Sequence, residues 1–258
     1  MTIKERGVWR IDSPWLRQPP FHCHFMGRPK TPSLEEAFTR APVLSALPPQ
    51  DRLELARTSR VVELKSREVL WREGARADSL GLVLMGRVAV ERARRRSVIV
   101  DVVGAGDFVG EVAFTLGAKY QFDVRCLRRA RVAMISATSL RRMLETRPRA
   151  AVSLAMNLAE EVLKLTRRVE SLSAGSVTQR LARVLVGLAD RFGEPFPGGV
   201  LMPVRLRRED LASLGATTLE SASRQISAWK RDGIVTPQPA GMLIRDLVKL
   251  RAIGDASM

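Results

Sequence analysis

Near the C-terminal end of this 258-residue chain, Glu220, Ser223 and Arg224 stand three and four positions apart. On a helix that spacing sends a carboxylate, a hydroxyl and a guanidinium from one face. Such a set can donate and accept hydrogen bonds along a base edge, and a helix carrying it fits a major groove. The simpler reading is an exposed Glu–Arg pair that supports its own helix by about 0.2–0.5 kcal/mol. The surrounding run, residues 207–234, favours the reader: it has the form of two short helices joined by a tight turn. Ala212 is small enough for the helices to cross closely, Thr217 or Thr218 can cap the second helix, and Gly233 ends it. The pattern is a helix-turn-helix, and its partner would be double-stranded DNA.

The elements that must carry this face can be bounded from composition. The length allows two domains, and 45% hydrophobic residues allow each a core. The formal net charge of +16 suggests a polyanionic partner. Residues 176–258, however, hold twelve Lys and Arg against eight Asp and Glu, so most of the excess lies elsewhere. It sits in clusters such as Arg92 with Arg94–Arg96, Arg128–Arg131 and Arg141–Arg149, and base-composition bias produces such surfaces too.

Two cysteines, Cys23 and Cys126, exclude a disulfide framework and are too few for a conventional iron–sulfur site. Cys126 falls in a strand-like run and is expected in the core. Both histidines, His22 and His24, lie near the N-terminus, and no nucleophile–base pair, carboxylate pair or closed metal site stands out, so an enzyme is not expected. The sequence begins with nothing resembling a signal peptide and has no apolar run long enough to span a membrane. The expectation is a cytoplasmic, nucleoid-associated protein.

Residues 1–33 lack periodicity and read as a flexible extension. Residues 34–148 contain short β-rich runs, from Val61–Leu64 to Val132–Ile135, punctuated by Gly74, Gly86, Gly104, Gly106 and Gly110. They predict an antiparallel barrel or jelly roll. Residues 149–175 form one long helix in which Ala151, Ala155, Leu158, Val162, Leu165, Val169 and Leu172 follow a heptad spacing. Its simplest partner is the same helix of a second subunit, which makes Leu158, Val162, Leu165, Val169 and Leu172 the expected dimer interface; the alternative is packing on the chain's own barrel. Residues 176–258 begin with an amphipathic helix over 177–192 and contain the helix-turn-helix. A small hairpin from Ile234 to Ile244 completes a winged helix. The fold class is therefore α+β: a β-roll, a long dimerisation helix and a winged helix-turn-helix.

That order of domains resembles the cyclic-AMP receptor/Fnr (Crp/Fnr) family of bacterial transcription regulators. The local matches are Gly86-Arg87, the run 104–111 ending in Gly110-Glu111, Val177-Thr178-Gln179-Arg180, and Thr218 to Arg224. The resemblance covers about residues 43–247. It implies a homodimer that binds DNA, with RNA polymerase a candidate partner. It also implies that Glu220, Ser223 and Arg224 contact the bases of a TGA-containing half-site, Arg forking to guanine and Glu accepting from a cytosine amino group. Arg208, Thr218 and Ser221 would contact phosphates, which set register. Two departures stand out: Gly215-Ala216 inverts the usual order at the turn, and Gln225 takes a position that is normally apolar.

Members that bind cyclic AMP hold its ribose with a Gly-Glu pair and its phosphate with a following Arg-Ser pair. Gly110-Glu111 is present, but Gln121-Phe122 stands where Arg-Ser is expected. The phosphate would lose its bidentate cation. On the long helix, the two hydroxyl residues that would face the purine read Leu165-Thr166. The resemblance thus implies a degenerate pocket and no cofactor. Three inputs stay open: another small ligand, no ligand with control through abundance or modification, or haem or a redox group at His22-Cys23-His24 and Met26. Those last residues lie at alternate positions with no further histidine to complete a site. Thr31 and Ser33 are candidate modification sites, and Met26 a candidate second start. A signalling module that does not bind DNA is the remaining alternative, and it would leave the Glu220–Arg224 face without a task.

Overall fold

The computed structural model describes residues 32–93, 97–173 and 175–256. All but the last two residues of the expected extension lie outside these, among them His22, Cys23, His24, Met26 and Thr31. Ser33 caps a helix: its hydroxyl accepts from Glu36 N while the Glu36 carboxylate accepts from Ser33 N. That helix, α1 (Leu34–Arg40), is followed by α2 (Pro42–Ser45) and α3 (Pro49–Thr58), both opened by proline, which loses no hydrogen bond at a first helical position.

The roll then runs β1 (Arg60–Leu64), β2 (Val69–Trp71), β3 (Ser79–Met85), β4 (Arg87–Ala93), β5 (Ser97–Gly104), β6 (Phe108–Val109), α4 (Glu111–Leu116), β7 (Asp123–Cys126) and β8 (Ala130–Ser136). The strands form two antiparallel four-stranded sheets, ordered β1-β8-β3-β6 and β2-β7-β4-β5. Leu80, Leu82, Phe108 and Ile135 pack against Phe38, Leu44 and Leu55 of the preceding helices. Between the sheets, Trp71, Val83, Val88, Val124 and Val132 form a second cluster. Cys126 belongs to it and is fully buried, as its strand position predicts, and burial pushes its thiol pKa up.

Helix α5 (Ala137–Thr146) leads into α6 (Pro148–Ser173), the long helix. Beyond it come α7 (Val177–Phe192), β9 (Glu194–Phe196), β10 (Gly199–Met202), α8 (Arg208–Leu214), α9 (Leu219–Arg231), β11 (Val235–Gln238), β12 (Gly241–Ile244) and α10 (Leu247–Asp255). The expected wing hairpin is present but incomplete as a description. It belongs to a four-stranded sheet, β11-β12-β10-β9, whose outer strand Glu-Pro-Phe carries no strand pattern. Helix α10, capped by Asp246 and packed on α7, is a further addition.

The C-terminal domain docks on the roll. Ala89, Ile99, Val102 and Leu127 of the roll share a core with Leu181, Leu185, Leu211 and Trp229. A bulge between β4 and β5 pairs Val90 with Asp101 but Glu91 with Ile99. Ile99 N donates instead to Ser213 Oγ of α8 at 2.8 Å, and Ile99 O accepts from Arg168 of α6 at 2.9 Å. One peptide strand thus touches both the long helix and the helix-turn-helix.

Candidate DNA-reading face and sensing pocket

Helices α8 and α9 are the two arms of the helix-turn-helix. Arg208 is the first residue of α8; the Asp210 carboxylate accepts from Arg207 N at 2.8 Å and so sets the helix start. Burial lowers the Arg208 pKa, and its side chain lines a cleft with Arg207, Lys230 and the strand residues Pro237 and Met242. Of the two candidate caps, Thr218 serves: its Oγ1 accepts from Ser221 N at 3.2 Å and donates to Ser221 Oγ at 3.1 Å. Ala222, Ile226 and Trp229 bury the inner face of α9, while Glu220 and Arg224 are exposed and Ser223 is half-buried. The three expected readers therefore share the outward side. They do not share a cleft: Glu220 faces one shared with α6, and Arg224 faces one beside Thr178 of α7.

The inverted Gly215-Ala216 pair has a packing reason. Gly215 has an ordinary φ of −90°, but a Cβ there would lie 2.6 Å from Leu181 Cδ2, so the close approach requires glycine. The left-handed turn residue is Ala216, with φ +46°. Arg180 of α7 clasps this turn, donating to Gly215 O at 3.0 Å and to Ala216 O at 3.3 Å.

On α6 the heptad stripe divides. Leu154 and Leu158 pack on the chain's own roll, which takes Leu158 partly out of the expected intersubunit seam. Farther along, Val162 is 62%, Leu165 43% and Val169 63% exposed, and Leu172 lines the cleft below α9.

The candidate effector pocket is a cavity of about 140 Å³ between the roll, α6 and α7. Gly110, Glu111, Gln121, Phe122 and Leu165 line it, together with Trp71, Phe108, Tyr120 and Val124. Thr166 does not: one position along the helix it turns outward, and its hydroxyl donates to Val162 O at 2.9 Å. Gln121 folds back, its amide nitrogen donating to Lys119 O, and Phe122 lies under Arg92, 4.9 Å from guanidinium carbon to ring centre. Arg92 is itself paired with Glu73 at 3.4 Å.

Burial raises the Glu111 pKa to about 7; its own backbone N–H opposes this, Glu161 and Asp107 reinforce it and Lys164 opposes it. Asp101, Asp107 and Glu161 also face the cavity. A residue that local sequence could not assign there is Arg191: it enters from α7 and pairs with Asp101 at 2.8 Å and Asp107 at 3.4 Å. Arg125 was likewise not legible; it pairs with Glu91 at 2.7 Å and with Asp210 at 3.0 Å. Both are long-range ion pairs, which leave no spacing to read.

Comparison with known proteins agrees with this layout. Residues 61–147 match the cyclic nucleotide-binding domain model and residues 179–253 the Crp-like helix-turn-helix domain model. The chain is 22% identical over 219 residues to the CRP-like cAMP-activated global transcriptional regulator of Mycobacterium tuberculosis, covering 84% of this chain and 98% of that protein. It is 28% identical over 182 residues to the CRP-like protein Clp of Xanthomonas campestris pv. campestris, covering 66% and 77%. Among solved structures, FixK2 from Bradyrhizobium japonicum superposes with a TM-score of 0.68 at 19% identity over 78% of this chain and all of that one. A CRP-family transcriptional regulator from Thermus thermophilus, TTHB099, gives 0.65 at 24%, over 76% and 97%; at such identities the likeness speaks for the fold. Among the described residues no helix is long and apolar enough to cross a membrane. With both domain models matched in order across more than half its length, the chain belongs to the Crp/Fnr family and is a DNA-binding transcription regulator.

Proposed function

We propose that this regulator is a homodimer that reads a palindrome of two TGA-containing half-sites, and that it does so without cyclic AMP. The observation that carries the reading is the outward face of α9, where Glu220, Ser223 and Arg224 project from a helix capped by Thr218 and clasped at its turn by Arg180. Arg224 would donate two bonds to guanine and Glu220 would accept from cytosine. Thr218, Ser221 and Arg208 would meet phosphates on either side. Dimerisation is supported by the exposed Val162, Leu165 and Val169 on α6, because a two-fold reader needs two recognition helices one DNA turn apart.

Independence from cyclic AMP is supported by the pocket's chemistry. Gln121 and Phe122 offer no cation for a phosphate, and Arg191 is already held by Asp101 and Asp107. A cyclic phosphate would enter beside Glu111 and Glu161 instead. The relative from M. tuberculosis is named as cAMP-activated, so the difference would lie in these side chains. Selection of duplexes from a randomised pool, with and without cyclic AMP, tests the reading. It predicts the same two TGA half-sites under both conditions; enrichment only with the nucleotide contradicts the second half of it.

A further inference from the structure

The reading face of α9 needs a fixed rotation about the helix axis, and one side chain on its flank is placed to supply it. Ala222, Ile226 and Trp229 point into the core, and Glu220 and Arg224 point out. Gln225, the residue after Arg224, is half-buried on the boundary between the two faces, beside α7. A half-buried carboxamide there is costly unless it is hydrogen-bonded. Thr178 Oγ1 donates to Gln225 Oε1 at 2.7 Å, joining residues 47 positions apart.

Thr178 is itself on a firm support. It lies in the first turn of α7, where Ser176 and Gln179 form a capping box and the Gln179 amide nitrogen also donates to Ala256 O. Leu181, Leu185 and Leu188 bury the same helix. From this one helix, Arg180 holds the turn before α9 and Thr178 holds its middle. Burial of Ala222, Ile226 and Trp229 sets the roll of α9 coarsely, and a second polar tie beyond the one at the turn narrows it further. The roll matters because hydrogen bonds to base edges tolerate only a few tenths of an ångström.

We infer that Gln225, gripped by Thr178, is a specificity-determining positioning residue that sets the roll of α9 and hence which base edges Glu220, Ser223 and Arg224 reach. The inference rests on the reading of α9 as the DNA-contacting helix. An apolar residue at 225 could fill the space, but it would not fix a direction.

The test is a double-mutant cycle with Thr178→Val, Gln225→Leu and the combined variant, with Thr178→Ser as the conservative control. Each protein is titrated at fixed salt on a duplex selected by the wild type and on a scrambled duplex, and thermal unfolding reports on the fold. The ratio of selected to scrambled affinity is expected to fall roughly two- to tenfold in each single variant, the worth of one hydrogen bond. The double variant should fall no further, because the bond is lost once, and Thr178→Ser should stay near wild type.

Unchanged ratios, losses that multiply in the double variant, or equal losses on both duplexes would overturn the inference. Should Gln225→Leu not fold, the comparison of Thr178→Val with Thr178→Ser decides. A wild type that selects no sequence at all would overturn the reading of α9 itself, and the inference with it.

Discussion

Arg125 on β7 of the roll and Asp210 on α8 of the helix-turn-helix are joined by a 3.0 Å ion pair across the domain boundary, with side chains 19% and 9% exposed. The neighbour of Arg125 on the strand, Val124, faces the opposite way and lines the cavity beside Glu111. A single strand therefore has the cavity on one side and the DNA-binding domain on the other. Losing one partner of a buried pair is costly when the other charge is stranded, but here Glu91 retains Arg125. Asp210→Asn should therefore cost about 1–2 kcal/mol rather than the roughly 3–5 of a fully orphaned charge. Urea unfolding checks this, and an unchanged midpoint would mean that the contact contributes nothing to docking.

Ala216 sits at φ +46° in the turn between α8 and α9, a conformation that glycine adopts without strain. Ala216→Gly should stabilise the protein by about 0.5–1 kcal/mol despite the greater entropy of the unfolded chain. Gly215→Ala should destabilise it, since the new methyl would meet Leu181. Thermal unfolding of the two variants should move in opposite directions.

Glu111 gives a pH signature. The folded protein holds its proton up to about pH 7, whereas a solvated glutamate releases it near 4.5, so the folded state binds more protons between those values. Stability therefore falls as pH rises through that window. Glu111→Gln removes the titration. The variant should be more stable than wild type by about 2–3 kcal/mol at pH 8 and indistinguishable from it below about pH 4.5. A difference that does not vary with pH would show that the carboxyl is not held neutral.

The exposed stripe on α6 should be the contact between subunits. Val162→Glu and Val169→Glu place a carboxylate where two apolar helices would meet, and sedimentation should show monomers at concentrations where wild type is dimeric. A wild type that sediments as a monomer would remove the basis of the two-fold reader.

Local patterns carried most of the fold. Helix 177–192 matches the amphipathic period residue for residue, and seven of the eight roll strands lie on the short β-rich runs between Val61 and Ile135. Strand β6 has just two residues, Phe108 and Val109, and β9 contains proline, so neither has a period to detect. The shared face of Glu220, Ser223 and Arg224 follows from helical spacing, whereas spacing leaves the cap open between Thr217 and Thr218 and the hydrogen bond from Ser221 N selects Thr218. What could not be read were relationships across domains: Arg191 entering the pocket from α7, Asp210 reaching Arg125, and Thr178 gripping Gln225. Gln225 looks like a departure in the sequence because its partner lies 47 residues away. The heptad stripe was legible, but not its division at Leu158, because an apolar residue looks the same whether its own roll or a second subunit covers it.

Base reading by the α9 face underlies the proposed function. Its most direct test is a titration, at fixed salt, of wild type and Arg224→Ala on a palindrome with two TGA-containing half-sites and on a scrambled duplex. Arg224→Ala is expected to weaken binding to the palindrome by about 1–3 kcal/mol while binding to the scrambled duplex is largely kept. Equal losses on the two duplexes would contradict it and make Arg224 a structural or phosphate-contacting residue.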